Sequence, residues 1–353
     1  MPEADAQIPD AQIPDAQIPD RFERIVLRRR PEGLVSWDDV ELVELDVPEL
    51  AEGEALLRNE VLGIDASVRS WLSPAKGYLP PVEIGEGVRC STAGRVVASR
   101  CDRFGVGDVV TTLGSWEDYS VITDDLFSTW LSAPDPTYDT TAFLSLYGSA
   151  GCTAYIGMLE VGKVRPGETV VVSAAAGATG SVAAQIAKMV GCRVIGIAGT
   201  DAKCAWLLDE LGLDGAINYR TEDVSARIKE LGPRVDVFFD NVGGPVLDAV
   251  LSRLAMHARV VLCGAISTYN DTEKAPGPSN YLNLIQQRAT MTGFLSLDDV
   301  PRFNEIGEQL RTWEREGKLR YHAEVFDGLR SSVDALNAMF TGANTGKIVI
   351  KLA

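Results

Sequence analysis

The chain has 353 residues, 46% hydrophobic and 24% charged, a globular balance with enough length for two cores. Its net charge of −17 disfavours nucleic acid and anionic membranes as partners, because both repel an acidic surface. No apolar run is long enough to span a bilayer and the start lacks the order of a signal peptide, so we expect a cytoplasmic protein.

The chain begins with a repeat, in which the pentapeptide Ala-Gln-Ile-Pro-Asp occurs three times over residues 6–20. A proline in every copy, with one large apolar side chain per copy, excludes a helix or a buried strand. We therefore predict a disordered tail over residues 1–20, with a docking tag as the alternative.

Short apolar runs between turn residues follow the tail and indicate a small, mostly antiparallel β domain. Examples are Ala55–Arg58, Gly94–Ala98 and Asp108–Thr112. The end of the chain has the pattern strand, helix, strand, with strands at Tyr321–Phe326 and Lys347–Lys351. Because the intervening region already supplies a complete sheet, we expect residues 21–142 and 318–353 to form one domain.

Residues 143–317 alternate between strand and helix patterns, which predicts an α/β fold with a doubly wound parallel sheet, the Rossmann arrangement. Helices are predicted at Ser181–Val190 and from Val300 to Gly317. The predicted strands are Thr169–Ser173, Arg193–Ile197, Ala216–Asn218, Val235–Asp240, Arg259–Cys263 and Thr290–Phe294.

The first of these strands leads directly into an A-x-G-x-x-G turn and then a helix. Small residues let the backbone approach a pyrophosphate, and the helix N-terminus offers free N–H groups. We expect a dinucleotide cofactor to bind at Gly177, Ala178, Thr179 and Gly180. The alternative is a tight strand–helix turn with no ligand.

The end of the second strand favours NADP over NAD. An NAD enzyme usually has an acidic residue there for the ribose hydroxyls. This chain has Thr200 and then Lys203, while Tyr219 and Arg220 close the third strand. Hydroxyl, ammonium and phenol groups suit a 2′-phosphate dianion. Asp201 follows Thr200 directly and leaves the NAD alternative open.

The sequence has too few suitably spaced cysteine and histidine ligands to favour zinc chemistry. The six cysteines contain no C-x-x-C pair, a spacing typical of reduced, buried thiols. Only two histidines occur, His257 and His322, so we expect no structural or catalytic metal. Without a Lewis acid the chain is poorly equipped for alcohol oxidation.

The segment Cys263–Asn270 leaves the fifth predicted strand at its carboxyl end, where open α/β sheets bind ligands. Its Tyr269 has an ordinary pKa of about 10 and is protonated at neutral pH. A phenol here can donate to an enolate oxygen or pass a proton to the neighbouring carbon. An ordinary loop tyrosine is the alternative.

Together these segments resemble the zinc-independent branch of the medium-chain dehydrogenase/reductase superfamily that contains prostaglandin reductase (leukotriene B4 dehydrogenase) and plant alkenal double-bond reductases. The likeness runs from Phe22 to Ala353. Its most specific segments are Ala174–Gly180, Phe239–Gly244, Cys263–Asn270, Gly293–Leu295 and Asn344–Lys347. The resemblance implies a GroES-like substrate domain and a homodimer paired through the edge strand at Thr290–Phe294.

The resemblance also implies which residues hold NADPH and substrate. Lys203 and Tyr219 would take the 2′-phosphate, and Tyr269 would assist protonation or hold the enolate. The other cofactor contacts would be Asn241, Cys263, Gly264, Ala265, Ile266, Ser267, Thr268, Phe294, Leu295, Ser296, Asn344 and Gly346. The expected substrate pocket contains Arg69, Trp71, Tyr78 and Tyr147.

Two departures from the superfamily's patterns stand out. Gly85-Glu86-Gly87 replaces the Gly-His-Glu of the zinc enzymes, so that zinc ligand is absent. Ala66, Ser67 and Val68 stand where the branch usually has proline and tyrosine, which alters the substrate side of the cleft.

The function that follows is reduction of the carbon–carbon double bond of an α,β-unsaturated ketone or aldehyde. NADPH would deliver hydride to the β-carbon, and the enolate, held by Tyr269 and ribose hydroxyls, would then be protonated. The alternatives are an NADPH quinone reductase and a protein that binds NADPH without turnover.

Overall fold

The computed structural model describes residues 18–352 except 75–76, 125–128, 134–138, 233 and 272–275. Most of the predicted tail, residues 1–17, lies outside the described residues.

Strands in the described residues form three sheets. In chain order they are β1 (Arg21–Leu27), β2 (Val40–Asp46), β3 (Glu54–Ile64), β4 (Arg89–Ser99), β5 (Val109–Ser115), β6 (Tyr119–Thr123), β7 (Thr129–Ala133), β8 (Thr169–Val172), β9 (Arg193–Ala198), β10 (Gly215–Asn218), β11 (Val235–Asp240), β12 (Leu254–Leu262), β13 (Thr290–Gly293), β14 (Ala323–Asp327) and β15 (Lys347–Lys351).

Helices surround the sheets. The α-helices of the described chain are α1 (Ala66–Trp71), α2 (Thr140–Leu144), α3 (Ser149–Tyr155), α4 (Ala178–Val190), α5 (Asp201–Asp209), α6 (Val224–Leu231), α7 (Gly244–Leu251), α8 (Asn283–Gln287), α9 (Phe303–Arg315) and α10 (Ser332–Thr341). A π-helical turn at Ile156–Val161 continues α3. The 3₁₀ turns are Ile266–Thr268, Ser279–Leu282, Ser296–Arg302 and Leu329–Ser331.

The predominantly antiparallel sheet has the order β14-β15-β3-β4-β5-β7, with β6 also pairing with β3. The end of the chain completes it: β15 runs antiparallel to β3, with Ile348 opposite Ile64, and β14 runs parallel to β15. Both residues of that pair are fully buried in a core beneath α10. The C-terminal strands therefore hold α10 against the substrate side of the molecule.

The parallel sheet has the order β10-β9-β8-β11-β12-β13. All four residues of β8 are buried, as expected for a central strand covered on both faces. The predicted α/β class, with a second antiparallel domain, is confirmed. Because the strand order reverses between β8 and β11, a crevice opens at their carboxyl ends, and the site lies there.

Several element boundaries differ from the prediction, and three of the larger differences have a local reason. β12 begins at Leu254 rather than Arg259, since His257 has a φ of +62° and interrupts the alternation of apolar residues. α4 begins at Ala178 because Gly177 is its N-cap. α9 begins at Phe303, since Pro301 lies in the preceding 3₁₀ turn. Within the described residues, no helix is both long and apolar enough to cross a membrane.

Candidate active site

The turn between β8 and α4 forms the floor of the cleft. Its Ala174 has a φ of +46°, and the following Gly177 caps α4 without any side-chain hydrogen bond. The first N–H groups of the helix are therefore free of a side-chain acceptor, as anion binding requires. A Cβ at Gly180 would lie 2.3 Å from the Ala174 carbonyl oxygen, so only glycine lets the helix pack this closely. The turn fits a pyrophosphate.

A buried carboxylate organises the neighbouring loop after β11. Asp240 accepts hydrogen bonds from the Ser173 hydroxyl at 2.7 Å and from the Val242 and Gly243 N–H groups at 3.0 and 3.1 Å. Burial raises the pKa of Asp240, although these three donors oppose that shift. The Asn241 side chain donates to the Ser173 carbonyl oxygen at 2.7 Å, which fixes it at the rim of the cleft.

The candidate catalytic phenol lies in the loop after β12. The Ala265 N–H donates to the Tyr269 hydroxyl oxygen at 3.2 Å, which leaves the phenolic proton free to be donated. Burial raises the pKa of Tyr269, so the side chain stays protonated beyond its ordinary range. The thiol of Cys263 also lines the cleft, and burial raises its pKa to about 12. It is therefore a neutral thiol and a poor nucleophile.

One cation and a phenol line one end of the cleft, and a second cation lies beside the phenol, outside the cleft lining. Lys203 and Tyr219 both line it, and the Tyr219 ring lies against Gly199, where a Cβ would come within 3.2 Å of the hydroxyl. The Arg220 guanidinium lies 5.9 Å from the centre of that ring. The Asp201 carboxylate accepts from the Asn218 side chain at 2.7 Å and is absent from the cleft lining.

The opposite wall comes from the antiparallel domain. Trp71, at the end of α1, is almost fully buried, and Tyr78 packs edge-on against it with ring centres 6.3 Å apart. Asp65 also lines this wall, and its carboxylate pairs with the buried ammonium of Lys347. Helix α10 adds side chains that the sequence did not single out, Met339 and Phe340.

The result is a continuous cleft of about 510 Å³ between the two sheets. Most of the residues predicted for the cofactor and substrate sites line this cleft. The predicted residues that line it are Trp71, Tyr78, Gly177, Ala178, Thr179, Gly180, Lys203, Tyr219, Asn241, Cys263, Gly264, Ile266, Ser267, Tyr269, Phe294, Leu295, Ser296 and Asn344.

Known proteins match both halves of the chain. Residues 23–129 match the family described as the N-terminal domain of oxidoreductases, and residues 178–311 match the zinc-binding dehydrogenase family. The NADPH-dependent curcumin reductase of Escherichia coli is 35% identical over 340 residues, covering 94% of this chain and 97% of that protein. The NADP⁺-dependent 2-alkenal reductase of Nicotiana tabacum is 35% identical over 338 residues, with coverage of 94% and 97%.

A solved structure superposes on nearly the whole of this chain. CurA from Vibrio vulnificus, solved with NADPH, superposes with a TM-score of 0.87 at 37% identity, covering 94% of this chain and 99% of that one. The chain belongs to the zinc-independent branch of the medium-chain dehydrogenase/reductase superfamily. This medium-chain reductase is an NADP-dependent oxidoreductase, and NADP(H) is its cofactor.

Two residues predicted for the substrate pocket of this reductase do not reach the cleft. The guanidinium of Arg69 donates to the Gly33 and Pro31 carbonyl oxygens at 2.9 and 3.0 Å, and the residue is buried and is not part of the pocket lining. The Tyr147 hydroxyl donates to Glu314 at 3.0 Å, which ties it to α9. Both side chains stabilise local structure instead.

Four residues predicted to contact the cofactor are absent from the lining. Thr200 is the N-cap of α5, where its hydroxyl accepts from the Lys203 N–H at 3.2 Å. Gly346 donates its N–H to the Ala176 carbonyl oxygen at 2.7 Å and so supports the turn between β8 and α4. Ala265 and Thr268 shape the loop that carries Tyr269.

The name of the second matching family raises the question of zinc. Within the described residues no three His, Cys, Asp or Glu side chains gather in a way that could hold a metal. All six cysteines of this reductase are free thiols. The absence of a bound metal stays a prediction that elemental analysis can test.

Proposed function

We propose that this reductase reduces the carbon–carbon double bond of α,β-unsaturated ketones and aldehydes. NADPH supplies the hydride, which forms the new C–H bond at the β-carbon. The π electrons move to the carbonyl oxygen as an enolate, and a proton then reaches the α-carbon to complete the saturated product. NADP⁺ is the oxidised product, so electrons and atoms balance.

The observation that carries the proposal is the phenol of Tyr269, which lines the cleft with its proton uncommitted. A neutral donor stabilises an enolate oxygen without a metal, and its effect appears only as charge develops. Relatives over almost the full length include a reductase of 2-alkenals, which supports this substrate class.

The residues proposed for cofactor binding follow from the floor of the cleft. The uncapped start of α4 would hold the pyrophosphate, since no side chain accepts from its first N–H groups. Lys203 and Tyr219 would hold the 2′-phosphate. Asn241 would orient the nicotinamide half, because its own backbone and side chain are fixed by Ser173.

The substrate side favours acceptors with apolar substituents. Trp71, Leu79, Leu113 and Phe340 line it with apolar surface, and Tyr78 adds a phenol at its edge. A bulky apolar acceptor should therefore bind better than a short polar one.

A substrate panel tests the proposal. Purified enzyme with NADPH should consume enones and 2-alkenals, and the rate should rise with apolar substituents on the acceptor. Quinones in the same panel address the alternative activity. Consumption of quinones with no turnover of any enone or alkenal would refute the proposed reaction.

We also propose that the reductase pairs with a second copy through the edge of its parallel sheet. All of β13 is exposed, an arrangement that natural proteins usually cover. Met291 in this strand is an exposed apolar side chain, and so are Tyr281, Leu282 and Ile285 in the segment that precedes it. A twofold partner would join two such edges. Light scattering should give twice the mass of one chain, and a monomer at micromolar concentration would contradict the pairing.

A further inference from the structure

One short segment connects the end of the cleft near Lys203 with the substrate wall near Asp65. It runs from Thr341 to Lys347, between α10 and β15, and is called the linking segment below. The Arg220 guanidinium donates to the Thr341 carbonyl oxygen at 2.9 Å, and the Lys203 ammonium donates to the Gly342 carbonyl oxygen at 3.1 Å. Two cations of the parallel-sheet domain thus hold the last carbonyls of a helix that belongs to the other domain.

These two cations lack the carboxylate partner that about half of the cations in the described part of the chain have. The chain carries 50 acidic residues against 33 basic ones, yet in the described part neither Lys203 nor Arg220 has a carboxylate within ion-pair distance. Burial, and then repulsion from Arg220, lowers the pKa of Lys203. The carboxylate that opposes this shift, Glu324, accepts a hydrogen bond from the Thr345 N–H at 3.1 Å. The arrangement favours an anion between the two cations.

Both cations can bind that anion without releasing the helix. A guanidinium has five N–H donors and an ammonium has three, and each of these side chains spends one donor on a carbonyl of the linking segment. The Tyr219 phenol, beside Arg220, adds a neutral donor. A 2′-phosphate would therefore fix Lys203 and Arg220 in place, and with them the end of α10.

The other end of the linking segment reaches the substrate wall. The Gly346 N–H donates to the Ala176 carbonyl oxygen in the pyrophosphate turn, at 2.7 Å. The next residue, Lys347, is buried and its ammonium pairs with Asp65, which lines the cleft near Trp71. A Cβ at Gly346 would lie 2.1 Å from the His322 carbonyl oxygen, so the segment is tightly confined. A displacement of this segment at Thr341 or Gly342 would therefore also move Gly346 and Lys347.

We propose that Arg220 is a second cation of the 2′-phosphate site and that the linking segment couples occupancy of that site to the substrate wall. The proposal rests on the proposed placement of NADPH. NADPH then orders α10, the linking segment and Asp65, whereas NADH, without a 2′-phosphate, leaves them less ordered. Whether NADPH or NADH is bound therefore affects the binding of substrate as well as the affinity for the cofactor. Arg220 is a cofactor-binding residue in this account.

The test uses Arg220→Gln in the full-length enzyme, with Arg227→Gln as the matched control. Arg227 lies on α6 in the same domain, pairs with Glu222 and Glu230, and does not line the cleft. Calorimetry with adenosine 2′,5′-bisphosphate and with AMP isolates the phosphate contact. Because Arg220 is exposed, we expect Arg220→Gln to weaken the bisphosphate about five- to tenfold and to leave AMP unchanged. The control should change neither.

Hydrogen exchange at saturating cofactor tests the coupling separately. The amides of Thr345, Gly346 and Lys347 are all hydrogen-bonded and report on the linking segment. In the unaltered enzyme they should exchange about fivefold more slowly with NADPH than with NADH, and Arg220→Gln should reduce that difference at least twofold.

Each contrary result would refute one specific part of the proposal. Unchanged bisphosphate affinity in Arg220→Gln would overturn the role of Arg220. Equal exchange with NADPH and NADH in the unaltered enzyme would overturn the coupling, while leaving the phosphate contact. If the unaltered enzyme binds the bisphosphate no better than AMP, the proposed placement of NADPH fails and this inference fails with it.

Discussion

Replacing Tyr269 with phenylalanine removes the phenol that we propose as the donor to the enolate. The hydroxyl oxygen already accepts from the Ala265 N–H, so its proton is left for donation to the enolate in the proposed reaction. Loss of a single oxyanion donor commonly lowers turnover by about 10²–10³. Ribose hydroxyls and water can partly substitute, so we expect a fall of about ten- to a hundredfold, or about 1.4–2.7 kcal/mol of transition-state stabilisation. The KM of the acceptor should change much less.

The assay measures turnover of an enone at saturating NADPH together with the dissociation constant of NADPH. Tyr119→Phe is the control, since Tyr119 lies in β6 and its ring packs against Phe22, away from the cleft lining. Near-normal turnover of Tyr269→Phe with unchanged NADPH affinity would refute the reasoning and remove the phenol from the mechanism. A parallel loss in NADPH affinity would indicate that the residue positions the cofactor instead.

Three further outcomes follow from the same geometry. Lys203→Ala should raise the KM for NADPH about tenfold and leave that for NADH unchanged, because a lost charge-assisted contact costs about 1.5–3 kcal/mol; equal changes for both cofactors would exclude a 2′-phosphate contact. Gly180→Ala should weaken NADPH binding and lower the melting temperature, since its Cβ would collide with a backbone oxygen, whereas Gly277→Ala, with nothing within 4 Å, should change neither. Because burial raises the pKa of Tyr269 and its protonated form is the donor, turnover should stay level through neutral pH, and the midpoint of any loss at alkaline pH should lie above the ordinary tyrosine pKa of about 10; a loss near neutral pH that persists in Tyr269→Phe would point to another group.

The parts of the site that sequence predicted are those fixed by local chemistry. The turn at Gly177 and Gly180 needs small residues because the backbone of the same turn occupies the space. Tyr269 was found because it follows a strand in the parallel sheet, and the carboxyl end of such a strand faces the crevice. Both signals lie within a short stretch of chain.

The parts that sequence missed depend on packing between distant segments. Arg69 was placed in the pocket by the resemblance, but the carbonyls of Pro31 and Gly33 hold its guanidinium elsewhere. Met339 and Phe340 reach the cleft only because β15 pairs with β3 and so brings α10 against it. A helix pattern records which face is apolar, but not which neighbour covers it.

The most direct test of the proposed reaction follows the transferred hydride itself. NADPH dideuterated at C4 of the nicotinamide is mixed with enzyme and an enone, and the product is examined by NMR. The account predicts one deuterium at the β-carbon of a saturated ketone, with the α-proton drawn from solvent. Deuterium on the carbinol carbon of an allylic alcohol would contradict it, because the hydride would then have reduced the carbonyl.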